Sequence, residues 1–429
     1  MNTNDITIKS GNSASRLAVL GGEPVITGTS PAMVPGPYVD DKMIESVVRT
    51  TKSGIWCRIQ SPNGTVPTFE KEYAKFMGTR FCVSTGAGTQ ALNTCVEALG
   101  IGAGDEVITS PYTDIGTISA VLFCRALPVF ADLDRESFQL DPDEVEKKIT
   151  ENTKAIIPVH IGGQPANMER IMAIAAKHKL PVIEDACQAH LTEYQGRKLG
   201  TIGDLGCFSF QASKNIACGE GGAIIGDDET LMDKCFTVMN HGTTRTGQHA
   251  LIGAKYRMNE FEAALLLPQL ETIKARHDSR NENAWYMRAK LRNFPGISLQ
   301  KLYEGTGTSA WWLFMVSYKK EKFNNAPRDK FIKALVAEGV NASSYIKYGF
   351  HKSDVIRNHI LDLKVYNKFY SEARLKKYRE ELECPVCDIV CDEEMMTFDV
   401  PTAPNKSYLD KIFNAIVKVY ENRDKLNSI

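Results

Sequence analysis

The chain has 429 residues, 43% hydrophobic and 24% charged, a length that is long for one core and suits a large domain with a smaller companion. Its formal net charge of −1 sets up no global field toward nucleic acid or an anionic membrane, though a local site could still hold a small anion. No apolar run approaches the roughly 20 residues of a membrane helix, and the opening MNTNDITIKSGNSASR lacks a basic stretch followed by an apolar one, so neither a span nor a secretory signal is expected. Residues 1–35, rich in Ser, Thr, Gly and Pro, read as an arm with a short apolar piece at 16–20. A helical pattern then runs from Asp40 to Ser53 and stops at Gly54.

Apolar, β-rich runs alternate with helical stretches from there on. FCVST (81–85) precedes a helix starting near Thr89, and DEVIT (105–109) precedes a helical run through Phe123. LPVFADL (127–133), KAIIPVH (154–160) and PVIEDA (181–186) read as buried strands, with helices at 141–149 and 166–178. GCFSF (206–210) and GGAIIG (221–226) follow closely as two more strands. Short apolar strands separated by helices signal an α/β fold, a mostly parallel sheet covered on both faces. Ligands on such sheets sit at the carboxyl ends of the strands. A helical region over 259–292, with Pro268 inside, leads to a smaller C-terminal α+β domain holding WWLFMVSY (311–318) and helices at 327–338 and 407–426. The expected division is an arm (1–35), a large domain (36–280) and a small domain (281–429).

Eleven cysteines, most of them in apolar segments such as Cys82, Cys95, Cys124, Cys207 and Cys235, suit reduced thiols in a cytoplasmic enzyme. Cys384, Cys387 and Cys391 lie in CPVCDIVC, where no second C-x-x-C or paired His follows. A structural zinc site wants four ligands, so no metal is expected and the segment reads as an extended apolar piece of the small domain.

Three stretches place useful chemistry at strand ends. In STGAGTQAL (84–92) a glycine-rich turn after a strand opens a helix, whose free N–H groups and dipole make a candidate phosphate cradle, though such turns are common. In IEDACQAH (183–190) Asp185 ends a buried strand; it reads either as a helix cap or as a carboxylate awaiting a cation, with Gln188 three residues on. In FSFQASKNIACGEGGAI (208–224) Lys214 stands between a strand end and a glycine turn, amid small and apolar residues. A lysine there is commonly a solvated surface group, but desolvation would favour the neutral, nucleophilic amine. Cradle, acid and amine together are what pyridoxal 5′-phosphate requires: an anchor, a partner for the pyridinium nitrogen and an amine for the aldehyde.

With these motifs in place, the chain resembles the DegT/DnrJ/StrS family of sugar aminotransferases, within the fold-type I enzymes that use pyridoxal phosphate. The likeness spans residues 15–425 in conserved motif order: LGGEPV (20–25), ALGIGAGDEVITSPYT (98–113), PVFADLD (128–134), AIIPVHIGGQPANM (155–168), the acid and lysine segments, and YRMNEFEAA (256–264). The resemblance implies Lys214 as the Schiff-base lysine, Asp185 as the pyridinium partner, and Gln188 on the ring hydroxyl. It also implies Ser209 and the Gly88–Thr89 backbone on the phosphate, in a homodimer with sites at the subunit interface.

Two positions depart from the family pattern. Asp114 stands where an aromatic residue stacks on the ring, so Tyr112 would substitute or Asp114 would hold a substrate hydroxyl or ammonium. Lys255, with Arg257 close by, stands where an asparagine reaches the partner's phosphate; either cation suits a phosphate or a donor carboxylate, or is a surface charge. Arg245 is a further cation, His160 and His241 read as architectural, and Glu220 is read as ordering the turn behind Lys214. The implied activity is transfer of an amino group from L-glutamate or L-glutamine to a keto-sugar, nucleotide-linked or not, or a keto-cyclitol. Dehydrating relatives replace the lysine with histidine, so Lys214 argues against that branch, while an aromatising branch keeps the lysine and stays open. A non-catalytic sensor of this fold would carry a DNA-binding module, for which the arm is too short and the chain not basic.

Overall fold

The computed structural model describes residues 15–28 and 37–429, so the expected arm over 1–35 lies partly outside the described residues. The large sheet is built from β1 (Phe81–Thr85), β2 (Glu106–Thr109), β3 (Leu127–Phe130), β4 (Thr153–Ile157) and β5 (Ile183–Asp185). After the short hairpin of β6 (Glu193–Tyr194) and β7 (Arg197–Lys198), β8 (Leu205–Ser209) and β9 (Gly222–Gly226) complete it. Strands order as β1-β9-β8-β5 and β3-β2-β4, and parallel bridges Ile156–Val182 and Val159–Asp185 join the two groups through β4 and β5. β2 runs parallel to β3 and β4, and β5 parallel to β8; β9 alone runs antiparallel to its neighbours β1 and β8. No helix separates β8 from β9, so the chain turns back beside itself instead of crossing over, and that turn carries Lys214.

Alternation along each strand feeds two apolar layers. Val83, Val107, Ala155, Ile157 and Ile224 face a core shared with the Gly88–Ala98 and Glu229–Met239 helices. Cys82, Ile108, Ile156, Ala223 and Ile225 face the other core, shared with the Thr65–Met77 and Met168–His178 helices. Both faces being covered explains why the strands read as continuous apolar runs and not as a polar–apolar alternation.

The second, fully antiparallel sheet orders as β10-β11-β13-β12, from β10 (Ile297–Leu299), β11 (Phe314–Tyr318), β12 (Ala342–Ser343) and β13 (Met395–Phe398). It packs on the Arg328–Ala337 and Lys406–Glu421 helices around Phe314, Phe331, Phe398 and Ile412. β11 is shorter than the run expected at 311–318, because Trp311 takes a φ of 44° and breaks the extended backbone. The Glu260–Leu291 helix, opened by an Asn259–Glu262 capping box, runs from the first core at Ala263 and Leu266 to the second at Met287 and Leu291. The proposed boundary between residues 280 and 281 falls within this helix.

The CPVCDIVC segment corrects one expectation, since it is helical and not extended. Pro385 sits in the first turn of a Pro385–Ile389 helix, whose Val386 and Cys387 N–H groups donate to the Asp132 carboxylate (2.8 and 2.9 Å). Cys384, Cys387 and Cys391 pack in the first core as free thiols, not in the small domain's core.

Residues 15–28 pack Leu17 and Ile26 into the small domain's core and are tied to it further by one carboxylate. Glu338, fully buried, accepts from Ala18 N (2.8 Å), Val25 N (3.1 Å) and Lys418 Nζ (2.8 Å). Removing one partner of a buried pair strands the other charge, at a cost of about 3–5 kcal/mol. Glu338→Ala is therefore expected to lower the denaturant midpoint of unfolding at constant m-value, and a midpoint equal to wild type would contradict the tie.

Candidate active site

A cavity of about 420 Å3 opens at the carboxyl edge of the large sheet. Gly88, Thr89, Asp114, Asp185, Gln188, Ser209 and Lys214 all line it, although they lie as far apart as 126 positions in the chain.

At one end sits the amino terminus of the Gly88–Ala98 helix, whose N-cap Ala87 offers no side-chain acceptor. The first N–H groups of a helix have no intrahelical partner and favour an anion. Ser209, at the end of β8, stands against this turn: a Cβ added to Gly88 would come within 2.7 Å of Ser209 Cβ and 3.1 Å of Cys187 Sγ. Glycine is required here by close approach, not by backbone angle. Gly88→Ala should therefore destabilise the fold by roughly 1–3 kcal/mol through overpacking. An unchanged thermal midpoint would show that the cradle is looser than this.

Asp185 is buried. Its Oδ2 accepts from Thr117 Oγ1 (2.7 Å) and its Oδ1 from Cys187 N (3.2 Å), and Thr117 bonds in turn to Thr113 (2.7 Å). The backbone of Asp185 is held by Asp185 N–H to Pro158 O (2.9 Å) and His160 N–H to Asp185 O (3.0 Å). His160 Nδ1 accepts from Ala166 N (3.1 Å), so its Nε2 carries the proton and donates to Glu184 (2.9 Å). Glu184, fully buried beside Asp185 in the chain, also accepts from Gly200, Ile202 and Gly203 N–H groups. Burial opposes its charge, but these donors hold its carboxyl below the usual range. His160 thus links Glu184 to the Ala166 backbone. Gln188 accepts from Gly162 N through Oε1 (2.8 Å) and donates through Nε2 to Tyr345 Oη (2.9 Å).

Lys214 sits in the β8–β9 turn, closed by Lys214 N–H to Gln211 O (2.8 Å), Ala212 N–H to Gly219 O (2.9 Å) and Cys218 N–H to Phe210 O (2.8 Å). Its Nζ lies 3.9 Å from the centroid of the Trp312 ring, and Trp312 Nε1 donates to Ser213 O (2.9 Å). Burial lowers the Lys214 pKa, and the Asp185 and Asp114 carboxylates oppose that shift. Asp114 also caps the Ile115–Phe123 helix through Gly116 N (2.9 Å).

Other expected residues stand apart from this cavity. Tyr112 does not line it: the ring is fully buried in the first core and its hydroxyl has no hydrogen-bond partner among the described residues. Lys255 is exposed, its backbone bridged to Asn240, and Arg257 Nη1 donates to Asn240 Oδ1 (3.0 Å). Arg245 pairs with Asp233 (2.6 Å), and His241 is exposed. Glu220 lines the cavity, and its carbonyl accepts from Cys218 Sγ (2.9 Å). Thr113, Thr117, Trp312 and Tyr345 also line it without having been singled out in the sequence. Only the Thr113–Thr117 spacing, one helical turn around the capping Asp114, hinted at a shared face.

The profile of the DegT/DnrJ/EryC1/StrS aminotransferase family matches residues 37–390. A Streptoalloteichus tenebrarius protein named putative L-glutamine:3-amino-2,3-dideoxy-scyllo-inosose aminotransferase is 31% identical over 428 residues, covering 96% of this chain and 99% of that one. The L-glutamine:2-deoxy-scyllo-inosose aminotransferase of Streptomyces lividus is 35% identical over 340 residues, 76% of this chain and 79% of that protein. Among solved structures, DesI in the presence of its TDP-sugar product matches with a TM-score of 0.80 at 25% identity, covering 96% of this chain and 98% of that chain.

Proposed function

The chain belongs to the DegT/DnrJ/EryC1/StrS aminotransferase family and is an aminotransferase, and from that premise we propose that it moves an amino group from L-glutamine to the ketone of a cyclitol, with pyridoxal 5′-phosphate as cofactor. The observation that carries this reading is the single cavity that joins an anion-accepting helix terminus, the Asp185 carboxylate and the Lys214 amine. The activities for which the two relatives are named supply the donor and the ketone class. When bound, the cofactor supplies an aldehyde that takes up nitrogen and a ring that accepts electrons.

The residues fit that group. The Gly88–Thr89 backbone and Ser209 would hold the phosphate, all lining the cavity at the amino terminus of the Gly88–Ala98 helix. Asp185 would keep the ring nitrogen protonated, its carboxylate fixed by Thr117 and Cys187. Gln188 has a second Nε2 proton for the ring hydroxyl beside the one given to Tyr345. Lys214 would hold the aldehyde at rest and, once displaced, carry a proton between the two carbons that exchange the amine. Asp114 offers an acceptor for cyclitol hydroxyls on the ring face where other members stack an aromatic group.

We further read the enzyme as a cytoplasmic homodimer of an arm, a large domain and a small domain, with Lys255 and Arg257 reaching the partner's site. The exposure of Lys255 supports that placement for the first of them. A second reading, a nucleotide-linked keto-sugar as acceptor, is favoured by the likeness to DesI with its TDP-sugar product. A screen of inososes and nucleoside-diphosphate keto-sugars with L-glutamine, read by mass spectrometry of the amine, tests both. Amination of inososes alone is the expected result. Amination of nucleotide-linked sugars alone would install the second reading, and no amine from either class would overturn both.

A further inference from the structure

The Trp312 ring that lies under the Lys214 amine is itself fixed from two directions. Its Nε1 donates to Ser213 O (2.9 Å), the carbonyl beside Lys214 in the chain, and its plane meets the Tyr345 ring at 80° with centroids 5.4 Å apart. Tyr345 Oη in turn accepts from Gln188 Nε2 (2.9 Å). Unusual backbone delivers both rings. Trp311, just before Trp312, takes a φ of 44°, and Tyr345 a φ of 53°, in the left-handed region that bulky side chains rarely adopt. Such strain persists only where packing enforces it, and it clusters at functional sites. At Trp311 the enforcement is visible: its ring packs on Trp285 and Phe314, and its Nε1 donates to Asn281 Oδ1 (3.1 Å).

The charged groups around the amine act on it through their fields. Asp185 at the end of β5 and Asp114 at the cap of the Ile115–Phe123 helix favour its cationic form, against the burial that disfavours it. Glu220 lines the same cavity from the amine's own turn. Burial keeps the Cys187 thiol protonated and lowers the His190 pKa to about 3, so neither adds a charge near neutral pH. The ring face, 3.9 Å from Nζ, is a direct contact of the amine. An indole is the best aromatic partner for a cation, and the attraction grows when water is excluded.

We propose that the Trp312 ring is a second station for the Lys214 amine, holding it as a cation beside the cofactor while the cofactor carries the transferred nitrogen. The inference rests on the proposed function, in which Lys214 tethers the cofactor. When the donor nitrogen replaces the lysine nitrogen, one carbon–nitrogen double bond forms as the other breaks. Two protons pass from the donor ammonium to the lysine nitrogen, so the lysine leaves as an ammonium and total charge is unchanged. The ring receives that cation within the same cavity. Trp312 is therefore a positioning residue that acts through Lys214. It stabilises the lysine apart from the cofactor, and so favours the cofactor's amine form, which leaves the lysine free, over its aldehyde form, which takes the lysine up.

The test measures equilibrium binding of pyridoxal 5′-phosphate and of pyridoxamine 5′-phosphate to the cofactor-stripped full chain, in wild type, Trp312→Phe and Trp312→Leu. Borohydride trapping identifies the lysine joined to the aldehyde. The aldehyde draws Lys214 off the ring and the amine leaves it there, whereas packing lost around the cofactor weakens both alike. Their affinity ratio therefore reads the ring contact. A cation–π contact corresponds to roughly a threefold to thirtyfold preference, so Trp312→Leu should shift the ratio toward the aldehyde by that factor. Trp312→Phe, with a weaker ring, should shift it less. The equilibrium of the L-glutamine half-reaction, read from the visible band of the holoenzyme, should move against the amine form by the same factor. A ratio that is unchanged in Trp312→Leu, or shifted toward the amine, overturns the proposal. So does a Trp312→Phe shift as large as that of Trp312→Leu, which would assign the effect to the Nε1 bond with Ser213. If Trp312→Leu does not fold, Trp312→Phe decides, and a wild-type ratio there overturns the proposal. Wild type that yields no trapped adduct at Lys214 overturns the tether and the station together; an adduct with an unchanged ratio overturns the station alone.

Discussion

Lys214→Ala is expected to lower kcat by roughly 10⁴-fold, the upper end of what a positioned acid–base group contributes, because on the proposed assignment the same amine also tethers the cofactor. The effect should be chemical and not structural. The turn around Lys214 is closed by backbone bonds from Lys214, Ala212 and Cys218, which truncation leaves in place. The side chain's recorded contact is its stack on Trp312 at 3.9 Å, worth about 1–2 kcal/mol when desolvated. The thermal midpoint should accordingly shift little while turnover collapses. Burial lowers the amine's pKa, so a larger fraction is neutral near pH 7 than for a solvated lysine, and that is the form able to attack a carbonyl or take a proton. Steady-state kinetics with L-glutamine, added small primary amines and borohydride trapping make the measurement. Partial rescue by the amines, and loss of the trapped mass adduct from the Lys214 peptide, are expected. Turnover within tenfold of wild type would remove Lys214 from the chemistry.

What could be read from the sequence divides along physical lines. The large sheet was legible because its strands, covered on both faces, read as uninterrupted apolar runs, and because Gly88, Asp185, Ser209 and Lys214 each sit at or just beyond a strand end. Such residues converge by topology alone, since parallel strands share a carboxyl edge. Trp312 and Tyr345 were not legible. They arrive from the second sheet's side, 98 and 131 positions after Lys214, and nothing in WWLFMVSY separates Trp312 as a cavity wall from a strand residue. Tyr112 shows the converse: one residue from Thr113, which lines the cavity, it is turned into the core, a distinction set by local backbone that composition does not report. In CPVCDIVC, apolar content suggested extension, and the acceptor that makes it helical, Asp132, lies more than 250 positions away.

Asp185→Asn should cost about 10²–10³-fold in kcat, the scale of removing one preorganised electrostatic contact, with the half-saturating donor concentration little changed. The substitution keeps shape but removes the charge that would hold a proton on the ring nitrogen. The electron sink matters as the carbanion forms, so the loss should fall on the rate and not on binding. The surroundings sharpen the expectation. Oδ2 accepts from Thr117 and Oδ1 from Cys187 N–H, so both oxygens already face donors. An amide nitrogen at either position meets a donor, and the hydroxyl of Thr117 is the one able to rotate, accepting from the amide and turning its proton toward Thr113. The backbone of Asp185 stays fixed by Pro158 and His160 whatever the side chain, so the variant should fold. Single-turnover conversion by α-deuterated L-glutamine makes the decisive comparison. A slowed reaction with a larger isotope effect than wild type is expected, because proton removal becomes the limiting step. An undiminished kcat, or a loss confined to donor affinity, would mean that the charge at Asp185 serves the packing of the Thr113–Thr117 turn and not the reaction.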